Sequence, residues 1–171
     1  MHPAEQLFRA RFEARGSPER ALGEKAYLKS PLRFHGVTVP DVRSACAEYA
    51  RLRPDLTRAE LIEIAEVLYR TDFHDLRSAA IGLLERKGAL LDVRDANWLV
   101  ELAHRSGNWA HVDWIAAKVL GDLVTREPKL LARLPRWAKH TDFWLRRTAL
   151  LAQVGGLRRA EGDFVLFARI A

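Results

Sequence analysis

Apolar residues recur along the chain at the three- and four-residue spacing of amphipathic helices, and no stretch alternates as a strand would. A helix opening at Thr57, for example, places Leu61, Ile64, Ala65 and Leu68 on one face. Further helices are predicted over residues 4–15, 18–30, 40–53, 73–87, 95–105, 109–125, 128–139, 142–154 and 160–171. The pattern therefore predicts an all-α protein.

Local signals mark where several of these helices begin and end. Ser17 is a predicted N-cap followed by proline, Thr38 can cap the helix that follows it, and Thr57 with Glu60 forms a capping box. The pair Gly155-Gly156 is expected to end the helix over 142–154.

The helices come in pairs with a period of about 35 residues, which is typical of an α-solenoid. Four equivalent positions in the second helices read Arg43, Arg77, Asp113 and Arg147, with offsets of 34, 36 and 34. The second helices of such a solenoid line its concave face, so these four residues are expected to form a row along it. One turn earlier stand Val39, Phe73, Trp109 and Phe143.

Asp113 is the exception in this row, because a carboxylate stands where the repeat calls for arginine. Apolar residues lie one turn to either side, so its face is expected to be partly buried. A half-buried carboxylate needs a partner, and Arg147 on the next repeat is the natural one. Trp109 and Asp113 then have two interpretations: a structural bridge with a core tryptophan, or a π face and a negative charge that meet a cationic substrate.

Arg43 and Arg77 also have two interpretations. Asp41-Val42-Arg43 and Asp75-Leu76-Arg77 resemble the Asp-x-Arg pattern of HEAT repeats, in which such residues bridge neighbouring repeats. Alternatively, both guanidinium groups contact phosphates. The remaining tryptophans, and Cys46 between two alanines, are expected to pack in the core.

Composition narrows the classes of function. The 171 residues carry a net charge of +6, and the isoelectric point near 9.9 permits an anionic partner such as DNA or RNA. The lone Cys46 excludes an intrachain disulfide and fits a reducing cytoplasm. No membrane segment, signal peptide, metal-binding spacing of histidines or glycine-rich phosphate loop is present in the sequence.

Several segments together resemble the AlkD-type DNA alkylation-repair proteins, which are HEAT-like alkylpurine DNA glycosylases. The resemblance covers nearly the whole chain. The matching segments are Tyr27-Leu28-Lys29-Ser30, Phe34-His35-Gly36-Val37 with Pro40 and Arg43, Asn108-Trp109 through Val112-Asp113, Gly121-Asp122, and Trp144-Leu145-Arg146-Arg147.

The resemblance implies a single domain of HEAT-like repeats over residues 1–171 and excision of cationic N3- or N7-alkylated purines from duplex DNA. It implies that the lesion stays stacked and that no metal or other cofactor is used. Trp109, Asp113 and Arg147 are the expected catalytic residues. Tyr27, Lys29, Thr38, Arg43 and Arg77 are the expected DNA-binding residues.

A monomer acting on bacterial cytoplasmic DNA, with no membrane association, is the expected context. Family members continue for roughly two more repeats, so the chain is expected to be C-terminally shortened. Two alternatives stay open: a DNA-binding repeat module without catalysis, and a protein-interaction scaffold.

Overall fold

A computed structural model describes residues 1–171, which form helices and connecting turns. The helices are α1 (Pro3–Arg15), α2 (Pro18–Leu28), α3 (Val39–Leu52), α4 (Arg58–Tyr69), α5 (His74–Arg86), α6 (Ala96–His104), α7 (Trp109–Trp114), α8 (Gly121–Arg126), α9 (Leu134–Ala138), α10 (Phe143–Arg158) and α11 (Phe164–Ile170). A π-helical segment, Ile115–Leu120, joins α7 to α8, and short 3₁₀ turns cover Gly88–Leu90, Val93–Asp95 and Pro128–Arg133. The all-α prediction is confirmed.

The chain divides into two compact units, residues 1–90 and residues 91–171. In the N-terminal unit, α5 packs against both α3 and α4, and α1 packs against α4 and α5. Its largest fully buried side chains are Phe8, Phe12, Leu61, Leu68, Leu76, Ile81, Leu83 and Leu84. In the C-terminal unit, α10 packs against the continuous helix over residues 109–126 and against α6 and α9, around Leu99, Leu102, Ile115 and Leu120.

Buried Asp75 organises the loop between α2 and α3. Its carboxylate accepts hydrogen bonds from the backbone N–H groups of His35, at 2.6 Å, and Val37, at 3.3 Å. Burial by itself raises the pKa of Asp75, but the hydrogen bonds from His35 and the nearby charges of His74 and His35 bring it below the ordinary value. Asp75 therefore acts as a structural anchor for this loop.

The local signals at helix starts are confirmed. The side chains of Ser17, Thr38 and Thr57 each accept a hydrogen bond from the third residue of the following helix. Thr57 and Glu60 form the predicted capping box, and Thr38 forms another with Asp41.

Three predicted helices differ from the structure in the C-terminal unit, and the one predicted over 160–171 covers only Phe164–Ile170. The helix over 142–154 does not end at Gly155-Gly156 but runs to Arg158, because these glycines serve close packing. A Cβ atom at Gly156 would lie 3.3 Å from Thr125 Oγ1. The helix predicted over 128–139 begins as a 3₁₀ turn and becomes α-helical at Leu134, since Pro135 has no N–H to continue the earlier ladder.

The second helix is also shorter than predicted. It ends at Leu28 instead of Ser30, and Lys29 adopts the left-handed conformation with φ 47°. The N–H of Lys29 bonds to the carbonyls of Lys25 and Ala26, which closes the helix before Pro31. Among the tryptophans expected in the core, Trp137 is buried, whereas Trp98, Trp114 and Trp144 are half-buried.

Candidate active site

A buried polar turn sets the start of the helix that carries Trp109 and Asp113. Gly107 takes a positive φ of 65°, and Asn108 caps the helix by accepting a hydrogen bond from His111 N–H at 3.2 Å. The Asn108 amide group donates to the Ser106 carbonyl at 3.1 Å, so the cap is itself held in place. Trp109 is consequently fixed as the first residue of α7.

Asp113 and Arg147 form a bidentate ion pair between α7 and α10. Arg147 Nε donates to Asp113 Oδ1 at 2.6 Å, and Arg147 Nη2 donates to Asp113 Oδ2 at 2.7 Å. The Asp113 side chain is 31% exposed and the Arg147 side chain is 37% exposed, so the ion pair is accessible from the surface of the C-terminal unit. The predicted pairing of these two residues is confirmed.

The geometry makes this ion pair stronger than an ordinary surface contact. Two parallel N–H···O bonds match the guanidinium fork to the carboxylate plane. The hydrogen bond to Asp113 raises the pKa of the Arg147 guanidinium. Because each carboxylate oxygen has two lone pairs and uses one on Arg147, the outer lone pairs can still accept from water or face a positive charge.

Trp109 lies one helical turn before Asp113 and is 43% exposed. Residues four apart share a face of a helix, so the indole and the carboxylate lie on the same side of α7. Of the two interpretations of Trp109, the core tryptophan is therefore excluded. An exposed indole beside a half-exposed carboxylate is suited to a positively charged ligand, through the π face and through direct charge attraction.

The first turn of α10 is held as firmly as that of α7. Asp142 Oδ1 accepts from Leu145 N–H at 3.1 Å and caps the helix, while Asp142 Oδ2 lies 3.1 Å from His104 Nδ1. The Arg146 guanidinium donates to the carbonyls of His140 and Thr141, at 2.9 and 2.7 Å. The helix that carries Arg147 therefore begins at a first turn fixed by the Asp142 cap, the His104 contact and the Arg146 hydrogen bonds.

A family model described as DNA alkylation repair enzyme matches residues 8–171 of the chain. The protein belongs to the DNA alkylation repair enzyme family. A solved structure described as a predicted DNA alkylation repair enzyme from Enterococcus faecalis superimposes with a TM-score of 0.79 at 19% identity. The match covers 91% of this chain and 72% of that one, and it supports the predicted solenoid of helical repeats. No curated protein matches the chain at a significant level.

In the N-terminal unit of this DNA alkylation repair protein, two of the residues predicted to bind DNA are exposed. Tyr27 is 73% exposed near the end of α2, and Lys29 is exposed directly after that helix. Both are accessible to a macromolecular ligand. Their role in DNA binding stays a prediction.

The other three predicted DNA-binding residues already take part in structural contacts. Thr38 caps α3 through its hydroxyl group. Arg43 on α3 lies 3.3 Å from Glu85 on α5, which is the bridge between repeats that the HEAT-like pattern suggested. Arg77 Nε donates to the Thr71 carbonyl at 2.9 Å. Arg43 is the most accessible of the three, with about half of its side chain exposed.

Other chemistries have little geometric support in this DNA alkylation repair protein. Cys46 is buried and its Sγ contacts the Ala79 carbonyl at 3.4 Å, and burial raises the pKa of its thiol to about 12, so it is a core residue as predicted. No group of three or more His, Cys, Asp or Glu side chains is arranged to hold a metal ion. None of the helices is long and apolar enough to cross a membrane.

Phe143 is exposed near the ion pair, and it belongs to the repeat pattern although it is not among the predicted site residues. Phe143 is the first residue of α10, one turn before Arg147, and is 55% exposed. Its offset of 34 from Trp109 was the available signal.

Proposed function

We propose that this protein is a DNA glycosylase that hydrolyses the N-glycosidic bond of cationic N3- or N7-alkylated purines in duplex DNA. The observation that carries the proposal is the half-exposed, bidentate Asp113–Arg147 pair beside exposed Trp109. Family membership supports repair of alkylated DNA, and the net charge of +6 favours a polyanionic partner.

The chemistry of an alkylated purine requires little of the enzyme at the base. Alkylation at N3 or N7 makes the purine cationic, so when the C1′–N bond breaks the bonding electron pair leaves with the base and neutralises it. No general acid is needed to protonate the leaving group. The demanding step is the positive charge that develops on the deoxyribose as the base departs.

Asp113 is proposed to stabilise that charge. A preorganised carboxylate facing the sugar favours the transition state over the ground state, and it can accept a hydrogen bond from the water that attacks C1′. That water forms the new C1′–O bond and passes its proton to the carboxylate or to solvent. Arg147 holds the carboxylate in one orientation, and its outer face can contact a nearby phosphate.

Trp109 is proposed to add a cation–π attraction to the sugar and the cationic base. We also propose that the lesion is processed while stacked in the duplex. Support comes from the position of Trp109 and Asp113 on the exposed face of a helix, where a groove or backbone can approach directly. An enzyme that flips its target must enclose the base in a pocket.

Release of free 7-methylguanine from a duplex that carries it tests the proposal. Wild-type protein should release the base, and Asp113→Asn, which keeps the shape but removes the charge, should slow release by about 10²- to 10³-fold. Asp55→Asn is the charge-matched control, because Asp55 is 74% exposed on a loop of the N-terminal unit. Equal release by the Asp113 variant and the control would contradict the proposed role.

A DNA-binding module without catalysis would give a different result. It would bind duplex DNA with an affinity that falls steeply with salt, yet wild type would release no base from any alkylated substrate.

A further inference from the structure

We propose that Phe143 is a second aromatic contact to the DNA, beside Trp109, and that it packs against the deoxyribose of a nucleotide flanking the lesion. The inference rests on the proposed function, because it takes the duplex at the Asp113–Arg147 pair as the ligand. Phe143 would bind and orient the substrate and would take no part in the chemistry.

The helix over residues 109–126 and α10 run side by side in a fixed register. Asp113 pairs with Arg147, and twelve residues further along both helices Arg159 Nη2 lies 3.3 Å from Thr125 Oγ1. Both pairs have an offset of 34 in the sequence, and their order shows that the two helices run parallel. The same offset extended one turn back from Asp113 pairs Trp109 with Phe143.

The two aromatic residues therefore occupy equivalent places, each the first residue of its helix and each one turn before a member of the ion pair. Their exposed fractions are 43% for Trp109 and 55% for Phe143, values that are high for large apolar side chains. Packed helices lie about 8–10 Å apart, whereas successive bases rise by about 3.4 Å. A nucleotide flanking the lesion, on the side of the neighbouring helix, is therefore the proposed contact of Phe143.

The ring of Phe143 is also held in place by its own helix. It meets the Trp144 ring edge-on at 5.2 Å between centroids, and the Arg146 guanidinium lies 5.8 Å from its centroid. Arg146 is fixed in turn by the His140 and Thr141 carbonyls. An exposed aromatic ring that is already immobilised loses little side-chain entropy on binding, which favours a recognition role.

The experiment measures binding of unmodified duplex DNA by fluorescence anisotropy, together with KM and kcat for 7-methylguanine release. Phe143→Ala should weaken binding about 5- to 10-fold, within the range for an aromatic contact to a nucleotide. The dependence of affinity on salt should keep its slope, because an apolar contact releases no counterions. KM should rise by a similar factor while kcat changes little, and Phe143→Trp should restore both affinity and KM.

Phe164→Ala is the matched control, since Phe164 is 68% exposed on α11 of the same unit. Thermal unfolding of both variants verifies that the fold is intact. If Phe143→Ala binds DNA and turns over substrate like Phe164→Ala, the inference is overturned while the proposed function stands. If wild type releases no base, the proposed function fails, and the anisotropy measurement still decides whether Phe143 contacts DNA.

Discussion

The two compact units each contain a carboxylate that is central to its surroundings, and the two carboxylates differ in what they leave available. Asp75, in the N-terminal unit, is 2% exposed and is occupied by the backbone N–H groups of His35 and Val37. Asp113, in the C-terminal unit, is held by one arginine and has a side chain that is 31% exposed. Both carboxylates are hydrogen-bonded, so hydrogen bonding alone does not distinguish a structural carboxylate from one that can meet a ligand. The distinction lies in whether the carboxylate oxygens keep unused lone pairs that solvent can reach.

The arginines at the repeat-equivalent positions lead to the same conclusion. Arg43 is paired with Glu85 on a neighbouring helix, and Arg77 bonds to the Thr71 carbonyl in the turn before its own helix, so both hold local structure. Arg147 makes the same kind of bridge, but its partner is the carboxylate of Asp113 at the neighbouring repeat position. One substitution in the row, aspartate for arginine, thus converts a structural position into a candidate site.

After the loss expected for Asp113→Asn, the largest expected effect comes from removing the arginine that holds Asp113. Arg147→Ala should lower the rate of 7-methylguanine release by about 100-fold, because it leaves the carboxylate without its orienting partner. Arg147→Lys should recover only part of the rate, since a lysine cannot make the bidentate bond. Single-turnover kinetics provide the measurement, with exposed Arg136→Ala as the control for loss of a positive charge. A rate for Arg147→Ala that equals the control would remove the arginine from the proposed mechanism.

The second expected effect separates stability from activity. Asp75→Asn should lower the free energy of unfolding by about 2 kcal/mol, because it weakens charge-assisted hydrogen bonds in a buried site, while the folded fraction should still release base. Asp113→Asn should change stability by less than about 1 kcal/mol, in keeping with its exposure. Urea unfolding of both variants tests the contrast. A larger loss for Asp113→Asn would mean that its ion pair is structural.

A third expected effect concerns acid. Burial lowers the pKa of His74 to about 4 from the ordinary 6.5. The unfolded chain therefore binds a proton between pH 6.5 and about 4 that the folded protein does not, so stability falls as the pH drops through this window. The lowered pKa of Asp75 adds a further loss below its ordinary value of 3.8.

Hydrogen exchange measured along the chain at pH 7 and pH 5 should accordingly show loss of protection in residues 1–90 before residues 91–171. His74→Phe, which retains a ring to stack on Phe34, should reduce the difference between the two pH values. Unchanged acid sensitivity in that variant would assign the effect to another group.

The smallest expected effect asks whether the N-terminal arginines also contact DNA. Arg43 is about half exposed, so it can exchange Glu85 for a phosphate, and Arg43→Ala should reduce the slope of log affinity against log salt by about 1. Arg77→Ala should leave the slope unchanged, because its guanidinium is already bonded to the Thr71 carbonyl. Equal slopes for wild type and Arg43→Ala would restrict Arg43 to bridging helices.

Much of the fold could be predicted from the sequence because its signals are local. Capping by Thr38 and Thr57 depends on residues three positions away, and amphipathic spacing is visible within each helix. The continuation of α10 through Gly155-Gly156 could not be predicted in this way. Gly156 packs against Thr125 on a neighbouring helix, and that contact exists only after folding.

The candidate site was predictable to the extent that it follows the repeat. Equivalent positions in successive repeats become neighbours in space, so the pairing of Asp113 with Arg147 could be inferred from an offset of 34. The structural role of Asp75 could not be inferred in the same way. Its hydrogen-bond partners lie about 40 residues earlier, in a loop with no periodic pattern. The exposure of Trp109 also depends on tertiary packing, which spacing alone does not reveal.

The π-helical segment Ile115–Leu120 distinguishes the helix over residues 109–126 from α10, which is α-helical along its whole length. Its widened turn, closed by a bond from Gly121 N–H to the Ala116 carbonyl, separates the residues of the candidate site, Trp109 and Asp113, from the rest of the helix beyond. Because both residues precede this turn, its geometry sets the directions of the indole and the carboxylate together, relative to the apolar residues that anchor the helix.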